Sequence, residues 1–229
     1  MILAGGLGTR LRSVVADRPK VLAEVAGRPF LALLLDQLAS AECQHVVLCT
    51  GHQAEQVEAA FGREYAGMRL AYSREQVQLG TGGAVRLALP LVEGDGCLVL
   101  NGDSYCAADL SLFKHWHGAR QAKASLLLTR ADDTSRYGRV EVAPDGQVST
   151  FVEKGSAIGP GWINAGIYLI QREMLELIAT DRVVSLERDV FPAWIGAGLF
   201  GSTCEAPFTD IGVPASYHAA ADFFRGLAA

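Results

Sequence analysis

No apolar run in this chain of 229 residues approaches the ~20 residues needed to cross a bilayer, so no membrane-spanning helix is expected. The start, Met1-Ile2-Leu3-Ala4, lacks both a basic stretch and a long apolar stretch and does not read as a signal peptide. Positive charge is in short supply, with 20 Lys and Arg against 25 Asp and Glu and a net charge of −5. A nucleic-acid partner is therefore not expected, although net charge says nothing against one basic cleft for phosphates. Five cysteines (Cys43, Cys49, Cys97, Cys106 and Cys204) form no C-x-x-C pair. Three lie in or beside apolar runs, which predicts reduced thiols in a cytoplasmic protein rather than disulfides or zinc.

What is present is a core. Half the residues are apolar and a fifth are charged, the balance of a soluble globular protein. The length is near the upper limit for one hydrophobic core, and no Ser/Gly/Pro-rich linker or repeat divides it. A single domain, 1–229, is expected. Its first half alternates strands and helices: strands at 1–4, 45–49, 69–72 and 97–100, and helices at 30–40, 54–61 and 81–89, the last stopped by Pro90. This succession predicts an α/β fold with a mostly parallel sheet and ligands beyond the carboxyl ends of its strands. The second half reads as strands at 124–129, 138–142, 148–152 and 162–170, with a turn at Pro144-Asp145-Gly146. Helices follow at 172–179, 186–195 and 215–227.

The most informative stretch is Leu3-Ala4-Gly5-Gly6-Leu7-Gly8-Thr9-Arg10-Leu11. Its glycines allow positive φ and close approach to a ligand, successive N–H groups can form an anion nest, and Arg10 offers a planar fork for phosphate oxygens. A P-loop would need Gly-Lys-Ser/Thr, which is absent. A dinucleotide fingerprint would need Gly or Ala where Leu11 stands. The three glycines alone are equally compatible with an ordinary turn after a first strand.

The wider pattern decides between these. Leu3-Ala4-Gly5-Gly6-x-Gly8-Thr9-Arg10-Leu11, followed by Pro19-Lys20, resembles the signature of the sugar-1-phosphate nucleotidyltransferases. The likeness continues through Leu79-Gly80-Thr81-Gly82-Gly83-Ala84, Asn101-Gly102-Asp103, Arg136-Tyr137-Gly138, Phe151-Val152-Glu153-Lys154, Asn164-Ala165-Gly166-Ile167-Tyr168 and Thr209-Asp210-Ile211-Gly212, in the family's order. Within the family the pattern is similar to the bacterial D-glycero-α-D-manno-heptose 1-phosphate guanylyltransferases. The family carries several residues ahead of Leu-Ala-Gly-Gly where this chain has Met1 and Ile2. The resemblance implies the nucleotide-diphospho-sugar transferase fold: a Rossmann-like three-layer sandwich with a mostly parallel mixed sheet and a sugar-binding extension. Residues 1–122 would mainly bind nucleotide, and 123–229 mainly sugar phosphate.

The implied reaction joins a nucleoside triphosphate to a sugar 1-phosphate and releases pyrophosphate. The attacking phosphate is largely ionised at neutral pH, its second pKa being about 6, so no general base is required. Bringing two anions into line is the obstacle, and positioning with charge neutralisation is the remedy. By resemblance, Arg10, Lys20 and Asp103 are the catalytic residues. Leu3, Ala4, Gly5, Gly6, Gly8 and Thr9 bind the nucleotide, with Gly80, Thr81 and Gly82 on the facing side of the base. Gly138, Glu153, Lys154 and Asn164 bind the sugar phosphate, and Asp103 and Asp210 hold Mg²⁺.

Each assignment has a plainer alternative. Lys20 and Lys154 could be exposed loop lysines, and both aspartates could serve turns beside glycine. Thr81 could cap the helix that follows it. Trp162 could stack on a sugar or sit in the core. His115-x-His117 is not a metal pair, because residues two apart on a helix point in different directions.

The expected partners are GTP and a heptose 1-phosphate; a homo-oligomer is compatible with this but not fixed by it. Sibling alternatives are mannose 1-phosphate with GTP, glucose 1-phosphate with dTTP, and N-acetylmuramate 1-phosphate with UTP. A catalytically silent binding module would be favoured by loss of Arg10, Lys20 or Asp103, and all three are present. An NAD-dependent oxidoreductase is disfavoured by Leu11.

Overall fold

In a computed structural model, residues 1–152, 159–180 and 182–227 are described. The chain forms two compact units of interleaved segments. The first comprises Met1–Gln78, Asn101–Tyr105 and Thr209–Ala229, the second Leu79–Leu100 and Cys106–Phe208.

The first unit is built on parallel strands. Ile2–Leu3 pairs with His45–Thr50 (Ile2 opposite Leu48, Leu3 opposite Cys49), and His45–Thr50 pairs with Met68–Arg74. The middle strand is an apolar run, as expected of a parallel strand covered on both faces. Helix Phe30–Ser40 carries Leu31, Leu34, Leu35 and Leu38 at helical spacing, and all four are buried. Helix Ala54–Phe61 begins after Gln53 and ends at Gly62, both at positive φ. The last helix, Pro214–Leu227, is tied in by rings: Phe224 packs edge-on against Phe30 and against Tyr105.

The second unit is mixed. Strand Gly161–Gln171 pairs antiparallel with Gly96–Asn101 on one side and Ala124–Ala131 on the other. Arg139–Val142 pairs with Val148–Val152 through the expected turn. Tyr168 and Phe191, both fully buried, sit 4.9 Å apart at the centre of the packing.

Most expected elements are present within a residue or two, although the helix expected over 172–179 ends at Glu176 and several two- and three-residue strands were not expected. Three longer segments also differ. Helix Leu110–Ala119 was not anticipated, although Asp109 marks its start by accepting a bond from Leu112 N at 2.9 Å. Strand Leu199–Cys204 runs parallel to Ala124–Thr129, yet Gly201-Ser202 at its centre interrupts the strand signal. Gly201 is required there because a Cβ would meet the side chains of Val142 and Leu128. The helix expected over 186–195 is instead a wide π-type turn, Leu186–Val190, followed by the short helix Phe191–Trp194. Pro192 has no N–H to continue a regular ladder.

Candidate functional site

The glycine loop leaves the first strand with Ala4 N donating to Cys49 O at 2.8 Å. A Cβ on Gly5 would collide with the Glu75 carboxylate and crowd the Gly51 backbone. Gly6 faces open space. Gly8 lies at φ 59°, and a Cβ there would stand 3.2 Å from the Lys20 Cβ. Gly8 O accepts from Leu11 N at 2.9 Å, closing a turn over Thr9–Leu11. Leu11 is buried as the anchor of that turn, while Thr9 and Arg10 remain exposed.

Pro19 holds the chain extended before a second turn, Lys20–Leu22, whose Val21 and Leu22 enter the core. The Lys20 side chain, only 12% exposed, reaches Asp103: Nζ to Oδ2 is 2.6 Å. The Asn101-Gly102-Asp103 corner is set by Gly102, whose N–H donates to Leu3 O at 3.0 Å. Any Cβ there would strike that same carbonyl, so the motif needs glycine at its centre. Asp103 O accepts from Ile211 N at 2.8 Å, which brings the last motif alongside. Asp210 Oδ1 accepts from Gly212 N at 2.7 Å and from Ser216 Oγ at 2.9 Å. A Cβ on Gly212 would stand 2.7 Å from Asp210 Oδ1 and 3.8 Å from Lys20 Nζ. Lys20, Asp103 and Asp210 therefore converge from segments far apart in sequence, and Lys20 lies directly under the glycine loop.

In the second unit, Gly80 stands at φ 74° and starts helix Gly80–Ala88. A Cβ on it would meet Val184 O at 2.5 Å, and one on Gly82 would meet the Val184 side chain at 2.9 Å. Gly82 N donates to Val184 O at 2.8 Å, so these glycines admit the Val184 backbone. Thr81 is not the helix cap: that position is Leu79, without a side-chain cap bond. Instead Thr81 Oγ1 donates to Glu187 Oε2 at 2.8 Å and accepts from Leu186 N at 2.8 Å. Thr81→Val leaves a backbone donor and a carboxylate oxygen short of a partner, and should lower stability by about 1–3 kcal/mol. Urea unfolding checks this; an unchanged midpoint would contradict it.

Gly138 and Asn164 are neighbours, Asn164 N donating to Gly138 O at 3.2 Å. The Asn164 amide donates to Tyr168 OH at 2.9 Å and accepts from Gly166 N at 2.8 Å, closing a bulge in its strand. Trp162 is half-buried with Arg130 over its ring at 5.9 Å. Glu153 and Lys154 lie outside the described residues. Three side chains at these positions were not anticipated. Ser216 supports Asp210, Glu187 gathers bonds from Thr81, Ser185 and Tyr168, and Glu75 lies over Gly5. Only Ser216 had a visible signal, standing one turn beyond the Asp210-x-Gly212 corner.

The sequence profile of the nucleotidyl transferase family matches residues 1–225. The chain belongs to this family. It is 35% identical to a mannose-1-phosphate guanylyltransferase of Mycobacterium tuberculosis over its full length, and it spans 65% of that protein. It is also 35% identical to a D-glycero-alpha-D-manno-heptose 1-phosphate guanylyltransferase of Aneurinibacillus thermoaerophilus, covering 96% of this chain and 95% of that one. The crystal structure of HddC from Yersinia pseudotuberculosis superposes with a TM-score of 0.85 at 32% identity, covering 97% of each chain. A second structure of that protein is a complex with GMP-PN. This nucleotidyl transferase thus has the nucleotide-diphospho-sugar transferase fold that its motifs imply.

None of the five cysteines of this nucleotidyl transferase is in a disulfide. His117 Nδ1 lies 2.7 Å from the Oγ of fully buried Ser125, and burial lowers its pKa from the ordinary 6.5. The fold therefore favours the neutral ring. At pH above 6.5 this adds no pH dependence; as pH falls below it, the unfolded chain takes up a proton that the fold resists, and stability declines. The decline between pH 6.5 and 5 should be shallower in His117→Gln, and an identical slope would contradict this. No described helix is long and apolar enough to cross a membrane.

Proposed function

We propose that this chain transfers GMP from GTP to a sugar 1-phosphate, releasing pyrophosphate. The observation that carries the proposal is the convergence of Lys20, Asp103 and Asp210 beside the Gly5–Arg10 loop. Two named relatives of nearly this sequence length or longer are guanylyltransferases, and HddC has been crystallised with GMP-PN. The relative whose length this chain nearly matches acts by name on D-glycero-α-D-manno-heptose 1-phosphate, which favours that sugar over mannose. The reaction would take place in the cytoplasm.

The loop N–H groups and Arg10 grip the triphosphate, and Arg10 meets the charge that develops on departing pyrophosphate. Lys20, fixed by its ion pair, neutralises the phosphates nearest the reacting centre. Leu3, Ala4 and Gly5 present backbone groups to the base. Gly138, Asn164, Glu153 and Lys154 serve the sugar phosphate. Mg²⁺ fits the donors present, since it is held by one or two carboxylates plus substrate phosphates rather than by a full protein cage. Asp103 and Asp210 would hold it, and when bound it offsets phosphate charge. Among the described residues there is no group of three His, Cys, Asp or Glu able to hold a metal.

The test is a substrate matrix: each nucleoside triphosphate with Mg²⁺ and a panel of sugar 1-phosphates, with pyrophosphate measured. GTP with D-glycero-α-D-manno-heptose 1-phosphate should give the highest kcat/KM. Silence across every pair would replace this reading with a catalytically silent binding module.

A further inference from the structure

We propose that Cys106 and Cys204 are an oxidisable pair, which hydrogen peroxide joins in a disulfide that slows the transferase. The effect on rate rests on the proposed guanylyl transfer; the bond itself does not.

Both cysteines stand on the segments that carry the candidate metal ligands. Cys106 ends strand Ser104–Cys106, just after Asp103, and its side chain is fully buried. Cys204 ends strand Leu199–Cys204, ahead of Asp210 and opposite Thr129 of the neighbouring strand. Backbone bonds align the two segments: Ala107 N donates to Pro207 O at 2.9 Å, and Ile211 N to Asp103 O at 2.8 Å. Thr129 Oγ1 donates to Ala206 O at 2.8 Å and fixes the chain just after Cys204. Across this frame the Cys106 thiol donates a hydrogen bond to the Cys204 sulfur.

Burial separates the roles of the two. Cys204 is half-buried and lines a cavity of about 470 Å³ walled by Leu112, Phe113, Trp116, Leu127 and Val142. A small uncharged oxidant can meet it there, while Cys106 stands behind. The hydrogen bond from Cys106 holds the Cys204 thiol below the ordinary thiol range against the opposing effect of burial, and a backbone bond at Ala206 adds to it. The same hydrogen bond, together with burial, pushes Cys106 up, so Cys106 keeps its proton. The thiolate is the nucleophile, and Cys204 is the thiolate.

The Cys204 thiolate attacks one peroxide oxygen. An S–O bond forms, the O–O bond breaks, and the departing hydroxide takes up the proton that Cys204 released, giving water. The Cys106 sulfur then attacks the resulting sulfenic acid. The S–S bond forms as the S–O bond breaks, and the hydroxyl leaves with the Cys106 proton as a second water. Two thiols have lost two electrons, and one peroxide has accepted them. The bond draws the sulfurs to about 2 Å, closer than any hydrogen bond. Strand Ser104–Cys106 is extended and anchored by buried Ser104, so the pull passes along it to Asp103. A misplacement of about 1 Å at a reacting centre can cost about a hundredfold in rate. In a reducing compartment such a bond is transient, which suits a switch.

The experiment treats the full chain with hydrogen peroxide, blocks the remaining thiols under denaturing conditions and maps the peptides by mass. Rates with GTP and a sugar 1-phosphate are read before peroxide, after it, and after dithiothreitol. In the wild type a Cys106–Cys204 cross-link should appear with a fall in kcat of about tenfold or more, and dithiothreitol should reverse both. Cys204→Ser should keep its rate through the same treatment. Cys106→Ala should form no cross-link and leave on Cys204 a sulfenic acid that dimedone traps. Oxidation of other residues with Cys106 and Cys204 still reduced overturns the inference. So does a cross-linked protein of undiminished rate, or an equal loss of rate in Cys204→Ser. The cross-link is read by mass, so a chain silent with every triphosphate before peroxide sinks the proposed function and not the disulfide.

Discussion

Asp103→Asn is expected to lower kcat about a hundredfold or more while leaving the fold in place. The substitution keeps shape and removes charge. The groups that position residue 103 are backbone: Gly102 N on Leu3 O, and Ile211 N on Asp103 O. Both survive the change, and the carboxylate is 41% exposed, so its contribution to stability is small. What is lost is the partner that holds Lys20 at 2.6 Å and, on the proposed reading, a charged metal ligand. Charge stabilisation of this kind supplies several kcal/mol to phosphoryl-type transfer. The loss should be partly recovered at high Mg²⁺. Initial rates across a Mg²⁺ series check this, and near-full activity at limiting Mg²⁺ would remove Asp103 from the metal site.

The second large effect belongs to Lys20. Lys20→Ala removes the largely buried cation under the loop and takes the Lys20 ion pair from Asp103, where the proposed reading places the phosphates. A hundredfold or greater loss in kcat/KM is expected for the nucleotide. Lys20→Arg should restore little. A Cβ on Gly8 would stand 3.2 Å from the Lys20 Cβ, so the start of the lysine stem is closely bounded, and a guanidinium fork is too broad for a point-charge site. Because the two side chains act as a pair, the double variant Lys20→Ala/Asp103→Asn should lose less than the product of the single losses. Independent losses that multiply would show that the ion pair has no part in the reaction.

Helices 30–40 and 54–61 could be read to the residue because local rules set them: apolar spacing in one, and a Gly62 stop in the other. The candidate-site motifs stand out in the sequence because each depends on a glycine with a job. Gly102 must clear the Leu3 carbonyl, Gly8 must turn left-handed, and Gly212 must admit Asp210. What the sequence hid is tertiary. Gly80 and Gly82 also have a packing role that the sequence does not show, since the atoms that exclude a Cβ there are those of Val184. Thr81 looks like a cap, yet its partner Glu187 lies 106 positions away. Strand Leu199–Cys204 exists only because Ala124–Thr129 is beside it to pair with.

On the proposed reading, one cradle of loop N–H groups, Lys20, Asp103 and Asp210 holds the triphosphate and its metal. A crystal structure with Mg²⁺ and a non-hydrolysable GTP analogue tests this most directly. Phosphates are expected along Gly6–Arg10 within reach of Lys20, with the ion on the Asp103 and Asp210 carboxylates. Phosphates bound elsewhere, with Lys20 and both aspartates turned away from them, would contradict it.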